Sequence, residues 1–179
     1  QILDKFSTTY HSIYENLNYD CENNGELFLL NKLNHSKNLN CIFDVGANIG
    51  EYSLLARGIN KKCLIFAFEP VPETFIALKR NVSNKDIETF NFALGSDIRE
   101  ETMLVSKDSK LSTLLLDNSN LKNKNNNKYI SVKKITGDEF LRNNNDFGQI
   151  SLLKIDTEGY ESEVLKGFRG IISRINVIQ

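Results

Sequence analysis

Carboxylate side chains accompany two separate apolar runs of this chain. Asp44 lies within IFDVGANIGEYS (residues 42–53), and Asp156 and Glu158 come directly after ISLLKI (residues 150–155). If both runs are parallel strands, their carboxyl ends meet at the edge of the sheet where ligands bind in open α/β folds. Carboxylates gathered there would attract a cationic ligand and accept a proton from a reacting hydroxyl group.

A glycine-containing turn follows the first of these runs. Gly46 and Gly50 lack a Cβ atom, so the backbone can turn sharply and approach a ligand before a helix continues through Ser53. The spacing does not fit the dinucleotide fingerprint G-x-G-x-x-G, and Glu51 stands where a phosphate-binding loop needs lysine. The pattern D-x-G-x-N-x-G, with Asp44 supplying negative charge, suits the ammonium and sulfonium groups of S-adenosylmethionine. A plain connection between strand and helix that holds two glycines is the alternative.

Alternating apolar runs and amphipathic segments predict an α/β fold with a doubly wound, mostly parallel sheet and helices on both faces. The segment near 101–135 departs from this rhythm and predicts an inserted β-hairpin, with strands over 102–106 and 129–135 around an Asn/Lys-rich loop. The other predicted elements are helices over 22–33 and from Pro72, strands over 40–45, 63–68, 89–94 and 150–155, and helices over 137–142 and through 160–168.

The carboxylates after the last predicted strand also have a structural interpretation. Asp156 or Thr157 would cap the following helix, and Glu158 and Glu161 would be first-turn acids that the helix dipole favours. In the usual doubly wound order, however, the first and last predicted strands are neighbours, which would place Asp156 beside the Gly46 turn. The sequence leaves both interpretations open.

Composition limits the class of partner. The chain has 179 residues and a formal net charge of −1, which suits one compact domain with a small-molecule partner and offers no broad basic face for nucleic acid. No apolar run approaches the roughly 20 residues that a membrane span needs, and the polar N-terminus does not resemble a signal peptide, so we expect a cytoplasmic protein without a membrane partner.

Cys21, Cys41 and Cys63 lack metal-site or disulfide spacing and are predicted to be reduced thiols. The oligomeric state is not predicted. Because the chain begins without methionine and ends within an apolar run, we expect part of a longer protein.

Five segments match one protein family in order and spacing. They are FDVGANIGEYS at 43–53, AFEP at 67–70, NFALGS at 91–96, ITGDEF at 135–140 and KIDTEGYESEVLKG at 154–167. Together they resemble the FkbM family of S-adenosylmethionine-dependent methyltransferases. The resemblance implies a class I (Rossmann-like) methyltransferase domain over 22–179, after an N-terminal extension over 1–21, with the last strands of that fold missing. It also implies an enzyme that transfers a methyl group in line to a hydroxyl of a sugar, glycan or natural product.

The resemblance assigns roles to individual residues. Glu69 would accept hydrogen bonds from the ribose hydroxyls. Asp156 and Glu158 would be the catalytic general bases, with crowding by Glu161 raising the pKa of one of them. The cofactor-binding residues would be Asp44, Gly46, Ala47, Asn48 and Gly50, then Phe68, Glu69 and Pro70, then Ala93, Gly95 and Ser96 beside the adenine, and Asp156. A divalent metal on the same carboxylates is an alternative that we do not adopt. Two other functions stay open: a methyltransferase-like module that binds S-adenosylmethionine without catalysis, and a dinucleotide-dependent oxidoreductase.

Overall fold

The computed structural model describes residues 25–105, 128–144 and 148–179, and the backbone of residues 113–114. The chain divides into two compact units, Gln1–Asn38 and Leu39–Gln179. The described elements are α1 (Glu26–His35) in the first unit, and in the second β1 (Cys41–Val45), α2 (Glu51–Ile59), β2 (Leu64–Phe68), α3 (Pro72–Asn81), β3 (Glu88–Phe90), β4 (Ala93–Leu94), β5 (Arg99–Val105), β6 (Thr113–Leu114), β7 (Lys128–Ile135), α4 (Gly137–Asn143), β8 (Leu152–Ile155), α5 (Glu161–Lys166) and a 3-10 helix (Ile172–Arg174).

Some predicted features fall outside these residues. The predicted extension over 1–21, which includes Cys21, is among them, and so are residues 117–127 of the Asn/Lys-rich loop. Every predicted catalytic or cofactor-binding residue lies in the second unit.

The central sheet has four parallel strands in the order β3-β2-β1-β8. The predicted neighbourhood of the first and last strands is therefore confirmed. Residues 175–179 run parallel to β8 on its other side, with bridges from Ile150 to Ile175 and from Leu153 to Ile178. The structure is thus a mixed α/β fold with a mostly parallel central sheet, as predicted.

Both faces of the central sheet are covered, which explains why its strands are nearly continuous apolar runs. On one face, Phe43, Phe66 and Phe68 belong to a core that includes the buried residues of α4 and α5. On the opposite face, Ala67 packs with Leu78 of α3. Because strand side chains alternate between faces, Asp44 points to the same side as α2 and α3.

The third predicted strand, over 89–94, is wrong as a single element. β3 pairs with β2 in the central sheet, whereas β4 pairs in parallel with β7 in a second sheet. The change of sheet occurs at Asn91, whose side-chain amide donates to the carbonyl oxygens of Glu69 and Pro70 at 2.9 and 3.1 Å. An apolar run has the same pattern in either sheet, so the sequence did not reveal the change.

The predicted hairpin pairing is confirmed, and it forms the centre of the second sheet. β5 and β7 pair in antiparallel fashion from Arg99 opposite Lys134 to Val105 opposite Lys128. The order of this sheet is β4-β7-β5-β6, so the insertion contributes three of its four strands.

The two described cysteines are buried free thiols, as predicted. Burial raises the pKa of Cys41 to about 12 and that of Cys63 to about 11. Because the thiolate is the reactive form of cysteine, both thiols should be chemically inert near neutral pH.

The aromatic core provides a test of this packing. We predict that Phe140→Ala lowers the free energy of unfolding by about 3–5 kcal/mol, because Phe140 is 1% exposed and its removal leaves a cavity. Its ring centroid lies 4.9–6.2 Å from those of five other rings, Phe43, Phe66, Phe68, Phe90 and Phe92. Urea unfolding measures the change. Ile76→Ala, at a position 69% exposed, should change the same quantity by about 0.5 kcal/mol or less. Equal losses in the two variants would contradict the core described here.

Candidate cofactor site and active site

The turn after β1 is fixed by backbone hydrogen bonds. The N–H groups of Gly46 and Ala47 both donate to the carbonyl oxygen of Phe68 at 3.0 Å, and the Gly50 N–H donates to the Ala47 carbonyl at 2.8 Å. The φ angles of Gly46, Asn48 and Gly50 are 80°, 49° and 90°. These left-handed values are ones that residues with a Cβ atom seldom adopt. The turn, with α2 directly after it, therefore has a defined shape that depends on its glycines.

Gly46 also lies directly against the backbone of Asp156. A Cβ atom at position 46 would lie 1.9 Å from the Asp156 carbonyl oxygen. The Asp156 N–H donates to the Val45 carbonyl oxygen at 2.9 Å. The structure therefore brings the glycine turn and Asp156 together, as the sequence predicted, and a side chain at position 46 would separate them.

Asp44 is enclosed by protein. Its side chain is 0% exposed, and its Oδ2 accepts a hydrogen bond from the Ser53 hydroxyl of α2 at 2.6 Å. The Nζ of Lys154 lies 3.9 Å from the Asp44 Oδ1. Asp44 thus positions the start of α2 and a buried lysine, and its charge would act on a nearby ligand through the electric field.

Lys154 is a site residue that our sequence analysis missed. Its Nζ lies 3.1 Å from the Asp156 Oδ2 and 5.0 Å from the centre of the Tyr52 ring. The Tyr52 hydroxyl in turn donates to the Gln179 side-chain oxygen at 2.8 Å. The available signal in the sequence was a lysine that interrupts the apolar strand LLKI, because a buried lysine needs a charged partner.

Glu69 follows β2 and contacts the same turn. Its carboxylate accepts hydrogen bonds from the N–H of Asn48 at 3.0 Å and from the N–H of Val71 at 2.9 Å. Burial raises the pKa of Glu69 from 4.5 to about 7; the negative charge of Asp44 adds to this rise, and the two hydrogen bonds oppose it. Each carboxylate oxygen has a further lone pair with which it can accept another hydrogen bond.

The carboxylates after β8 have different environments. Glu161 accepts hydrogen bonds from the N–H and hydroxyl of Thr157 and from the N–H of Gly159. Burial alone would raise the pKa of Glu161, but hydrogen bonds from backbone N–H groups and from Thr157 hold it below its usual range. For Glu161 the structure supports the structural interpretation. Glu158 is exposed, and partial burial together with the charges of Asp156 and Glu161 raises its pKa, in the direction expected from crowding.

Two other predicted cofactor residues act near Glu69. The Phe68 side chain is 0% exposed within the aromatic core, so Phe68 shapes the turn through its carbonyl oxygen. Pro70 is partly exposed and holds the Asn91 side chain through its own carbonyl oxygen.

The residues predicted to border the adenine contact a different part of the unit. Ala93 is buried in the core, and a Cβ atom on Gly95 would lie 2.6 Å from the Lys134 side chain. The Ser96 hydroxyl donates to the Glu163 carboxylate of α5 at 2.7 Å. The contacts of Gly95 and Ser96 pack the segment after β4 against β7 and α5, and the role beside the adenine stays a prediction.

The part of the chain that the structure describes contains no group of three or more His, Cys, Asp or Glu side chains that could hold a metal ion. Nor does that part contain a helix long and apolar enough to cross a membrane.

Residues 44–179 match the family described as Methyltransferase FkbM domain. The chain belongs to the FkbM methyltransferase family. It is 29% identical over 144 residues to the hexuronic acid methyltransferase AglP of Haloferax volcanii, covering 76% of this chain and 53% of AglP. It is 26% identical over 144 residues to Methyltransferase 1 of Beauveria bassiana, covering 70% of this chain and 57% of that protein. The chain therefore spans about half the length of these two relatives.

A solved structure supports the fold. The methyltransferase FkbM from Methylobacillus flagellatus KT matches this chain with a TM-score of 0.50 at 21% identity, covering 76% of this chain and 30% of that one. The class I methyltransferase fold implied by the motifs is thus confirmed. Membership of the FkbM family leaves the oxidoreductase alternative without support.

The contact between Gly46 and Asp156 gives a prediction about stability. Gly46→Ala should lower the free energy of unfolding by at least about 2 kcal/mol, because alanine is strained at positive φ and its Cβ would force β1 and β8 apart. Gly58→Ala is the matched control, since nothing lies within 4 Å of a Cβ at that position on α2. It should raise stability by up to about 1 kcal/mol. Similar stabilities of the two variants in urea unfolding would argue against the contact.

The raised pKa of Glu69 gives a prediction about pH. Between about pH 4.5 and 7 the folded chain holds a proton on Glu69 that the unfolded chain has lost, so the Glu69 contribution to stability falls as pH rises and is constant above that range. The fall should be of order 3 kcal/mol and absent in Glu69→Gln. The free energy of unfolding of both proteins, measured from pH 4 to 8, tests this. Parallel curves would show that Glu69 has an ordinary pKa.

Proposed function

We propose that this chain binds S-adenosylmethionine and belongs to an enzyme that methylates a hydroxyl group of a sugar, glycan or natural product. The observation that carries the proposal is the convergence of Glu69 and Asp156 on the Gly46–Gly50 turn, one through a hydrogen bond to Asn48 and the other through backbone contact. Similarity to AglP, a hexuronic acid methyltransferase by name, supports a sugar-like acceptor.

The charges around the turn fit this cofactor. Among the described residues, Asp44, Glu69, Asp156 and Glu158 supply carboxylates around the turn, and the ammonium of Lys154 contacts Asp44 and Asp156. S-adenosylmethionine carries a positive sulfonium and a positive ammonium, which such a region attracts, whereas it would repel the phosphates of a dinucleotide.

A buried polar atom in the turn also fits a ligand. The Asn48 Oδ1 is buried and has no hydrogen-bond partner within the described residues. A buried acceptor of this kind costs free energy unless a donor satisfies it. In our proposal, the Asn48 side chain and the backbone N–H groups of the turn, with Ala47 and Gly50, hold the methionine portion of the cofactor.

The remaining roles are those that the family resemblance implies. Glu69 accepts hydrogen bonds from the ribose hydroxyls on its remaining lone pairs, and Pro70 borders the adenosine. Ala93, Gly95 and Ser96 border the adenine. When bound, S-adenosylmethionine supplies a methyl group activated by a positively charged sulfur. Asp156 faces the region where the acceptor hydroxyl would lie, and its side chain is 60% exposed.

Proton removal is assigned to the exposed carboxylates. A neutral hydroxyl is a weak nucleophile, so a base that takes up its proton accelerates the transfer. Glu158 suits this role because its raised pKa brings it closer to the pH at which it works. Asp156 is the second candidate base, held by Lys154 beside the turn.

Methyl transfer and cofactor binding can be tested separately. The wild-type chain should bind S-adenosylhomocysteine in calorimetry and should not bind NAD. Glu158→Gln should lower the rate of methyl transfer to glycoside or natural-product hydroxyls by about 100-fold or more, because it removes a proton acceptor, and should leave the affinity for S-adenosylhomocysteine unchanged. Glu73→Gln, which removes a carboxylate that is 74% exposed and paired with Lys128, should change neither quantity.

The outcomes separate the candidate functions. Binding of S-adenosylhomocysteine with no transfer to any hydroxyl acceptor would favour a non-catalytic module. Binding of NAD without S-adenosylhomocysteine would contradict the proposed cofactor. An unchanged transfer rate in Glu158→Gln would remove the assignment of Glu158 as a base.

A further inference from the structure

One lysine ammonium contacts two carboxylates that come from neighbouring strands at the candidate site. Lys154 on β8 and Asp44 on β1 are register partners, so their side chains lie on the same face of the sheet. Asp156 comes two residues after Lys154 and projects from that face as well. The Lys154 Nζ is 3.9 Å from the Asp44 Oδ1 and 3.1 Å from the Asp156 Oδ2.

Solvent exposure increases along the cluster from Asp44 through Lys154 to Asp156. The Asp44 side chain is 0% exposed, that of Lys154 is 8% exposed and that of Asp156 is 60% exposed. Tyr52 places its ring 5.0 Å from the Lys154 Nζ, at a distance where a cation and an aromatic face attract each other. The lysine is therefore anchored from the inside by Asp44 and Tyr52 and reaches outward to Asp156.

Two further carboxylates lie near this cluster. Glu69, at the end of β2, lies close enough to Asp44 for the charge of Asp44 to raise its pKa, and Glu158 is similarly affected by Asp156. Two carboxylates that share one site repel each other, and one of them takes up a proton unless a cation compensates the charge. Lys154 supplies a cation that contacts both Asp44 and Asp156.

We propose that Lys154 is a positioning residue, whose ammonium holds the Asp156 carboxylate beside the Gly46–Gly50 turn and compensates the charge of the buried Asp44 carboxylate. Its link to catalysis rests on the proposed function, in which Asp156 faces the cofactor. The electrostatic part concerns the folded chain itself and can be tested without any ligand.

The first test measures stability against pH in Lys154→Met and Lys154→Arg. Without the ammonium, the folded Met variant should retain a proton on the buried Asp44 carboxylate at pH values where the unfolded chain has lost it, because burial disfavours the charged form. Its free energy of unfolding, relative to wild type, should therefore fall as pH rises between about pH 4 and 8. Lys154→Arg keeps the positive charge and should follow the wild-type profile. Because the pKa of Glu69 responds to the charge of Asp44, the profiles are also compared in the Glu69→Gln background, where the contribution of Glu69 is absent from every chain.

Two further variants make this test decisive. Lys166→Met removes a partly exposed lysine that pairs with Glu163 on α5, and its profile should run parallel to that of wild type. If Lys154→Met does not fold, Lys154→Gln replaces it, because glutamine can still donate a hydrogen bond to Asp156 but carries no charge. A Met or Gln variant whose profile runs parallel to wild type would overturn the proposal.

The second test measures protons released when S-adenosylmethionine binds. Calorimetry in buffers of different ionisation enthalpy, at about pH 7, counts the protons exchanged on binding, and Glu69 and the amino group of the ligand contribute to that count in wild type as well. Lys154→Met should release more protons for each ligand bound than wild type does, because the cationic ligand favours the ionised form of Asp44. Its affinity should rise towards that of wild type as pH increases. Lys154→Arg and Lys166→Met should behave as wild type.

The two tests distinguish the failure of this inference from the failure of the proposed function. If the wild-type chain does not bind S-adenosylmethionine, the proposed function fails, and the stability profiles still decide the role of Lys154. If the wild-type chain binds and the uncharged variants show neither greater proton release than wild type nor an altered pH profile, the role of Lys154 is wrong and the proposed function stands.

Discussion

The site depends on the close approach of two backbones, that of the turn after β1 and that of the chain leaving β8. Position 46 has no room for a Cβ atom, since one would lie 1.9 Å from the Asp156 carbonyl oxygen. Parallel pairing of β1 and β8 enforces this approach, and Glu69 joins it from β2 through its bond to Asn48. Three neighbouring strands thus bring the residues at their C-terminal ends together, where the charge of Asp44 acts on Glu69 and Lys154 contacts both Asp44 and Asp156.

In each sheet, a buried lysine contacts two carboxylates and lies close to a tyrosine. In the central sheet Lys154 joins Asp44 and Asp156 under the Tyr52 ring. In the second sheet the fully buried Nζ of Lys134 contacts three groups, Asp97 at 2.9 Å, Glu101 at 2.8 Å and the Tyr160 hydroxyl at 3.0 Å. Removing one partner from such a cluster leaves an uncompensated buried charge, which is strongly unfavourable. The clusters therefore fix the relative positions of the side chains they contain. The second cluster holds Tyr160, which lies four residues after Asp156.

The sequence pattern was enough to predict the strands that carry the site, because buried parallel strands are continuous apolar runs. It also predicted that Gly46 lies beside Asp156, because the order of such strands in a sheet is restricted. It was not enough for features decided by tertiary contacts. The change of sheet at Asn91 depends on side-chain hydrogen bonds to a different loop, and Lys154 looked like an interruption of a strand until its two carboxylate partners were in place. Glu161 shares the sequence context of Glu158, yet its carboxylate turns back to the backbone of its own helix start.

A structure of this chain with S-adenosylhomocysteine bound would test the proposed cofactor site most directly. We predict ribose hydroxyls hydrogen-bonded to the Glu69 carboxylate, the homocysteine portion along the Gly46–Gly50 turn, and the sulfur facing Asp156. A ligand bound elsewhere on the chain, or one at the turn whose ribose has no contact with Glu69 and whose sulfur points away from Asp156, would contradict it.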